Sequence, residues 1–248
     1  MHIGLIGGIG PAATVFYYER IVKAFDEAQE QLELTIAHTS ARMLSANVRA
    51  GRVEEQVSEY VRVTRQLAAA GADAVAITSM GGHFCVQQFA AVSPLPIIDG
   101  PTAVADKLKA MGLDRIGILG TRVVMQTALY GSLCDLHPVV PSGALLERVN
   151  DDYVAMAIVG TANADQRQRL LDAGERLVRN HGASAILLGG TDLNLVFKED
   201  LGLSYPVIDS AAVHVDAIVA SPRSAAMSTP WLGPAMCYAC RHHRAWPP

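Results

Sequence analysis

The sequence predicts an α/β protein with two pseudo-symmetric, doubly wound parallel-sheet domains and a cleft between them. Short apolar runs that end in glycine or small polar residues alternate with amphipathic stretches, a pattern typical of parallel strands buried on both faces. Half of the 248 residues are hydrophobic and 18% are charged, as in globular proteins with a substantial core. An internal repeat further predicts that the two halves of the chain share one fold.

Three segments of the first half return in the same order in the second half. The matching pairs are 3–7 with 116–120, 71–72 with 182–183, and 96–99 with 206–209. Their offsets are 113, 111 and 110 residues, so the spacing agrees to within three positions. The repeat predicts a first domain of residues 1–99 plus 210–220, a second domain of residues 100–209, and an irregular tail at 221–248.

The elements of the first half follow from apolar periodicity and from the positions of glycine and proline. Pro11 fits the first turn of a helix, whose apolar face is predicted to consist of Val15, Tyr18, Ile21, Val22 and Phe25. Residues 40–52 fit no single pattern. The other predicted elements are strands at 2–7, 32–37, 74–78 and 94–99 and a helix at 53–70.

The second half continues the alternation of helices and strands. A proline-rich break at 138–141 separates two groups of elements. Before it we predict a helix at 103–111, a strand at 115–120 and a helix at 124–136. After it we predict a short strand at Leu145 and Leu146, helices at 151–158 and 165–180, strands at 184–188 and 205–209, and a helix at 211–220.

Composition and charge exclude several classes of protein. The formal net charge of -4 predicts no nucleic-acid partner, because it leaves no basic footprint. No apolar run approaches the roughly 18 residues of a membrane span, and the N-terminus starts as a strand rather than a signal peptide. The four cysteines form no evident disulfide framework. The expected location is therefore the cytoplasm.

A glycine-rich segment, Gly7-Gly8-Ile9-Gly10-Pro11, joins the first strand to the first helix. Its spacing is not that of a dinucleotide fingerprint, and the second strand ends in His38 rather than an acid. Free backbone N–H groups at a helix start can still bind a carboxylate or phosphate; the alternative is a purely steric turn. The candidates for substrate binding here are Gly8, Gly10, Pro11 and Thr14.

The segment Ser79-Met80-Gly81-Gly82-His83 follows the third strand and is the first candidate for a reacting centre. Ser79 stands at a strand end, where α/β proteins bind ligands, and is either a turn residue or a proton-transferring group. Met80, Gly81 and Gly82 would supply amides beside it, and His83 either orients a neighbour or is structural. Arg42 could grip a substrate carboxylate with two hydrogen bonds; a solvated surface arginine is the alternative.

The repeat places a second loop, Gly189-Gly190-Thr191-Asp192, after the strand at 184–188. Thr191 and Asp192 offer a hydroxyl and a carboxylate there, although Asp192 equally fits a capping role. His214, near the start of the last helix, is either a ligand-facing group or a core histidine. Gly190, Thr121 and His214 complete the candidates for substrate binding.

A cysteine and histidine cluster in the tail has metal-ligand residue types. It comprises Cys237, Cys240, His242 and His243. A zinc site normally adds a second ligand pair at a defined distance. We therefore predict no metal site.

The segment Gly7 to Thr14, the two strand-end loops and Ile208 to His214 together resemble the aspartate/glutamate racemase family, and in particular its aspartate racemase branch. The resemblance spans about residues 1–220. It implies two pseudo-symmetric α/β domains with the active site between them, a homodimer, and catalysis without pyridoxal phosphate or another cofactor. In this family two thiols on opposite faces of the substrate transfer the α-proton.

The resemblance also places Ser79 and Gly190 where that family has its two catalytic cysteines. Cys85 follows six residues after Ser79 and could project from the next helix. The implied function is a racemase-like enzyme acting at the α-carbon of a small amino acid or dicarboxylate, with atypical proton-transfer residues. The alternative is a catalytically inactive paralogue that binds an acidic amino acid or another carboxylate.

Overall fold

The computed structural model describes residues 1–197 and 202–221, which form two compact units. The first unit consists of Met1–Gly100 together with the described residues from His214 onward, and the second of Pro101–Val213. Each unit contains one parallel three-stranded sheet. The α/β class with two parallel sheets is therefore confirmed. The predicted cysteine and histidine cluster and all of the tail beyond residue 221 lie outside the described residues.

The first unit is built around a central strand. Its elements are β1 (His2–Gly7), α1 (Pro11–Glu27), β2 (Glu33–His38), α2 (Ala41–Ala50), α3 (Val53–Ala69), β3 (Ala74–Ile77), a 3₁₀ turn (Met80–Cys85) and α4 (Val86–Ala90). The strand order is β2-β1-β3, and Leu5 of β1 pairs with Ile36 on one side and Ala76 on the other. Because β1 and β3 are both buried, their sequences are almost purely apolar.

The second unit has the elements α5 (Gly100–Ala110), β4 (Ile116–Leu119), α6 (Arg122–Gln126), a 3₁₀ turn (Cys134–Leu136), α7 (Gly143–Val159), α8 (Ala164–His181), β5 (Ala185–Leu188), a 3₁₀ turn (Thr191–Leu195) and β6 (Val207–Asp209). The last helix, α9 (Ser210–Ala220), begins in the second unit, and its residues from His214 onward belong to the first. The strand order is β4-β5-β6. All four residues of β4 and of β5 are buried. Within the part of the chain that the structure describes, no helix is long and apolar enough to cross a membrane.

Two isolated bridges reveal that both sheets follow the same plan. Ile97 pairs with Val75 of β3, and Val139 pairs with Gly117 of β4. With these bridges included, the first sheet reads β2-β1-β3-Ile97 and the second reads Val139-β4-β5-β6. The repeat detected in the sequence thus corresponds to a repeated sheet.

Three predicted elements are wrong. Residues 94–99 form only the bridge at Ile97, because Pro94 and Pro96 lack the N–H groups that a longer ladder needs. The predicted helix at 124–136 stops at Gln126, since residues 128–130 are left-handed, with φ of 49°, 55° and 59°. The predicted strand at 145–146 lies inside α7.

The predicted face of α1 is confirmed at Ile21 and Phe25 and is wrong at Val15 and Tyr18. The buried residues are Ala13, Tyr17, Ile21 and Phe25, spaced four apart. Val15 and Tyr18, expected on that face, are 53% and 47% exposed.

Candidate active-site loops

The two predicted loops of the first unit lie side by side. They follow β1 and β3, which are adjacent parallel strands, so their carboxyl ends share one edge of the sheet. The Oγ1 atoms of Thr14 and Thr78 are 2.9 Å apart, and Thr78 donates to the Ile6 carbonyl at 3.0 Å. The Gly8 amide donates to Thr14 Oγ1 at 3.0 Å. These bonds join the helix start at Pro11 to the strand end that carries Ser79.

The glycine at position 8 is required by both its backbone and its surroundings. Its φ of 81° lies in the left-handed region, and a Cβ there would collide with the His38 ring and the Thr39 carbonyl oxygen. Gly10 caps α1 with a φ of 102°. The glycine-rich turn therefore brings β1 close to the end of β2, and its Gly8 amide is already bonded to Thr14.

Ser79 is the second residue after β3, directly following the buried Thr78. Its backbone is extended, with φ of -157°. Its side chain is partly exposed and does not cap the 3₁₀ turn that follows. Among the described residues, none with a basic side chain forms a hydrogen bond with the Ser79 hydroxyl. Met80 and Gly82 of the same segment are buried, while Gly81 is partly exposed.

His83 bonds to the main chain of Ser79 rather than to its hydroxyl. Its Nδ1 lies 2.8 Å from the Ser79 carbonyl oxygen. A carbonyl only accepts, so Nδ1 carries the proton and Nε2 is left as the acceptor for the Gly100 amide at 3.4 Å. His83 thus fixes the course of the chain at Ser79.

His214 lies against His83 in the interior of the first unit, with ring centroids 5.5 Å apart. Its Nε2 donates to the Ile98 carbonyl at 2.7 Å, which leaves Nδ1 to accept from the Tyr17 hydroxyl at 2.9 Å. Burial lowers the pKa of His83 to about 4 and that of His214 to about 3. Both imidazoles are therefore neutral at pH 7, with defined tautomers.

The two loops of the second unit also lie side by side, after the adjacent strands β4 and β5. A Cβ at Gly120 would come within 3.3 Å of the Gly189 carbonyl oxygen, so the loops approach closely. Thr121 accepts from the Val124 amide at 3.4 Å and caps α6. Thr191 and Asp192, both partly exposed, begin the 3₁₀ turn after β5.

Tyr153 of α7 reaches the second loop, although no sequence pattern singled it out. Its hydroxyl donates to Asp192 Oδ2 at 3.2 Å. Burial raises the pKa of Asp192, and the hydrogen bond from Tyr153 partly opposes that shift. Burial, and then the Asp192 carboxylate, raise the pKa of Tyr153 well above its ordinary value. The phenol is therefore protonated at neutral pH.

Two further features belong to other elements. Arg42 is exposed in the first turn of α2. A cavity of about 240 Å³ between α7 and α8 is lined by none of the predicted site residues, and the Asp152 and Arg169 side chains on its wall pair at 2.6 and 2.7 Å. No set of three or more possible metal ligands occurs within residues 1–197 and 202–221.

Comparison with known proteins supplies the family. The family model for Asp/Glu/hydantoin racemases matches residues 6–218. The chain belongs to the Asp/Glu/hydantoin racemase family.

Solved structures agree with this assignment. A proposed Asp/Glu racemase from Yersinia pestis is 24% identical over 88% of this chain and 98% of its own, with a TM-score of 0.79. An aspartate racemase homologue from Pyrococcus horikoshii is 25% identical over 88% and 97%, with a TM-score of 0.74. Glutamate racemase from Francisella tularensis, solved with D-glutamate, is 16% identical over 88% and 79%, with a TM-score of 0.58. The first and third similarities show the shared fold.

Thiol chemistry at Cys85 is not available to this member of the racemase family. The side chain is fully buried, and burial raises the pKa of its thiol to about 12. A cysteine needs its thiolate to act as nucleophile or base. Cys85 is therefore a packing residue of the 3₁₀ turn.

A labelling experiment tests this conclusion. A variant with Cys134→Ser, Cys237→Ser and Cys240→Ser keeps Cys85 as its single thiol. We expect this protein to react with an aromatic disulfide at pH 8 at least ~100-fold more slowly than after unfolding in guanidinium, because reaction requires an exposed thiolate. Restoring the partly exposed Cys134 provides the control. Equal rates for folded and unfolded protein would contradict the burial of Cys85.

Proposed function

We propose that this chain is a racemase-like isomerase that acts, without pyridoxal phosphate, at the α-carbon of a small amino acid or dicarboxylate. The observation that carries the proposal is the pair of polar strand-end loops, one at the same position in each of the two repeated sheets, in a chain of the Asp/Glu/hydantoin racemase family. The D-glutamate bound to the Francisella glutamate racemase supports an acidic amino acid as ligand. We further propose a cytoplasmic homodimer.

The roles of the residues follow from their positions. In the first unit, the Ser79 hydroxyl is the proposed proton-transferring group, and the bond from His83 to its carbonyl holds it in place. In the second unit, Thr191 and Asp192 are the corresponding polar groups. The loop amides and Arg42 are proposed to bind the carboxylates, because such groups favour the negative charge that develops when an α-proton is removed.

A second candidate function is binding without catalysis. The observation that favours it is the absence, among the described residues, of a base bonded to the Ser79 hydroxyl. A serine hydroxyl is a weak base unless a neighbour activates it. In this alternative the loops bind an acidic amino acid without changing it, and the protein acts as a sensor or as a binding partner.

Exchange of the α-proton with heavy water distinguishes the two functions. We expect the wild-type protein to exchange the α-proton of L- or D-aspartate or glutamate, measured by proton NMR. The Ser79→Ala variant is expected to exchange at least ~100-fold more slowly, the usual contribution of a general acid or base. Calorimetry on the same samples measures binding. Binding without exchange in the wild type would favour the second candidate, and neither binding nor exchange would refute both.

A further inference from the structure

The space beside Gly190 is filled by the side chain of Tyr153. A Cβ built on Gly190 would collide with the Tyr153 hydroxyl and would lie 2.6 Å from Cζ and 2.8 Å from Cε2 of its ring. The backbone at Gly190 is extended, with φ of -173°, a conformation open to any residue. Glycine is therefore needed at this position for room alone. The room is used by a phenol that comes from α7, 37 residues earlier in the chain.

The Tyr153 hydroxyl has a defined orientation at the carboxyl end of β5. It donates to Asp192 Oδ2, two residues after Gly190 in the loop. Tyr153 and Asp192 are each intermediate in exposure, so the pair lies between the core and the surface. A hydroxyl and a carboxylate thus meet at the place in the sheet where α/β proteins bind their ligands.

A strained segment adds a second tyrosine to this region. Ala128, Leu129 and Tyr130 are all left-handed, although none is glycine. Each such residue costs free energy, and such conformations cluster at functional sites. Tyr130 is close enough to Tyr153 to contribute to the raised pKa of that phenol. The segment after α6 therefore comes near the same phenol.

We propose that Tyr153, oriented by Asp192, is the proton donor of the second unit and occupies the place of a side chain at position 190. This inference rests on the proposed function. In the proposed step, the electron pair of a carbanion at the substrate α-carbon forms a C–H bond with the phenolic proton of Tyr153. The O–H bond breaks, its electrons stay on the phenolic oxygen, and the phenolate then takes a proton from water.

The protonation states of the pair suit an acid rather than a base. A phenol with a raised pKa remains protonated at neutral pH and cannot abstract an α-proton in that form. A carbanion next to a carboxylate is a far stronger base than a phenolate, so it accepts the proton despite that raised pKa. Asp192 makes no direct transfer in this scheme and acts as a positioning residue.

The decisive variant is Tyr153→Phe, which keeps the ring beside Gly190 and removes only the hydroxyl. Each enantiomer of aspartate and glutamate is incubated in heavy water, and both α-deuteration and the configuration of the product are followed. We expect inversion to fall at least ~100-fold, the range of general acid catalysis. Deuteration with retained configuration is expected to persist, and substrate binding measured by calorimetry is expected to stay within ~3-fold of wild type.

Two sets of controls separate catalysis from packing. Tyr205→Phe removes a phenol hydroxyl elsewhere in the second unit and is expected to leave inversion unchanged. Asp192→Asn keeps an oxygen that accepts from the phenol and is expected to retain at least ~10-fold more inversion than Asp192→Ala. If Tyr153 were only structural, Tyr153→Phe would lower inversion and exchange with retained configuration together, and their ratio would stay at the wild-type value.

The outcomes distinguish this inference from the proposed function. If the wild type inverts or exchanges an α-proton and Tyr153→Phe inverts it equally fast, the role of Tyr153 is refuted and the proposed function stands. If the wild type neither exchanges nor inverts any of these amino acids, the proposed function is refuted and the role of Tyr153 with it. Loss of inversion in Tyr153→Phe, with binding and retained exchange intact, supports both.

Discussion

Acidification from pH 7 to pH 4 is expected to lower the stability of the unit that contains His83 and His214 by several kcal/mol. Both imidazoles are fully buried, and burial lowers their pKa values from 6.5 to about 4 and about 3. Asp99 Oδ1 lies 3.9 Å from His83 Nε2. The Asp99 carboxylate favours protonation of His214, but the cost of burying a charged imidazole outweighs that attraction. The native unit therefore binds these two protons far more weakly than the unfolded chain does.

The sign of the effect follows from this difference in proton binding. Because the folded pKa values are depressed, the stabilising contribution is fully present above pH 6.5 and is lost as the pH falls towards 4 and then 3. In that window the unfolded state binds up to two more protons than the native state. The slope then reaches about 2.7 kcal/mol per pH unit. The total loss at pH 4 is on the order of several kcal/mol, a large fraction of the stability of a typical domain.

Urea unfolding, followed between pH 7.5 and 4, measures this slope directly. His83→Asn keeps a donor for the Ser79 carbonyl but cannot titrate, so we expect it to lower stability at pH 7 and to reduce the slope by about 1.4 kcal/mol per pH unit. Phe89→Leu, at a buried apolar position of the same unit, is the matched control. It is expected to lower stability at pH 7 with the wild-type slope. A wild-type stability that does not change between pH 6.5 and 4 would contradict the neutral, buried state of both histidines.

The sequence predicted most of the fold because the strands of a buried parallel sheet have a strong local pattern. Four strands, β1, β3, β4 and β5, are short apolar runs bounded by glycine or small polar residues. The internal repeat further indicated which strands correspond to each other in the two halves. The errors arose where tertiary structure overrides local preference. The pair Leu145 and Leu146 is consistent with the apolar period of a helix as well as that of a strand. Residues 128–130, none of them glycine, adopt left-handed conformations that no sequence pattern indicates.

The positions of the candidate loops were predictable from the sequence, but their contacts were not. Strand ends followed by small residues located Ser79 and Thr191, because local sequence determines where a strand stops. The tautomer of His214 depends on the carbonyl group of Ile98, which only the folded chain brings near, and that of His83 depends on the carbonyl group of Ser79, which the 3₁₀ turn brings near. Tyr153 was missed because its approach to Gly190 joins distant residues. The one available signal was the glycine itself, which leaves space for another side chain.

Introduction of a β-carbon at position 190 is expected to destabilise the second unit by displacing Tyr153. In Gly190→Ala the new methyl group would overlap the phenol ring, since Cζ and Cε2 lie 2.6 and 2.8 Å from its position. Overpacking of this kind typically costs about 1–3 kcal/mol. The extended backbone adds no strain of its own. Gly81→Ala, where the nearest atom to a new Cβ is Ser79 Oγ at 3.7 Å, is expected to change stability by less than about 0.5 kcal/mol.

A double-mutant cycle shows whether the cost at Gly190 comes from this one contact. Tyr153→Ala vacates the space, so Gly190→Ala in that background is expected to cost about 1–3 kcal/mol less than it does alone. Thermal and urea unfolding of the four proteins supply the coupling energy. Additive effects would mean that Tyr153 does not contact the methyl group at position 190.

The same variant links stability to chemistry. Gly190→Ala is expected to move the phenol away from Asp192 without altering either group, so it should reduce inversion as Tyr153→Phe does. Gly190→Cys in the Tyr153→Ala background places a thiol in the vacated space. Restored inversion in this double variant would show that the space beside position 190 adjoins the substrate α-carbon.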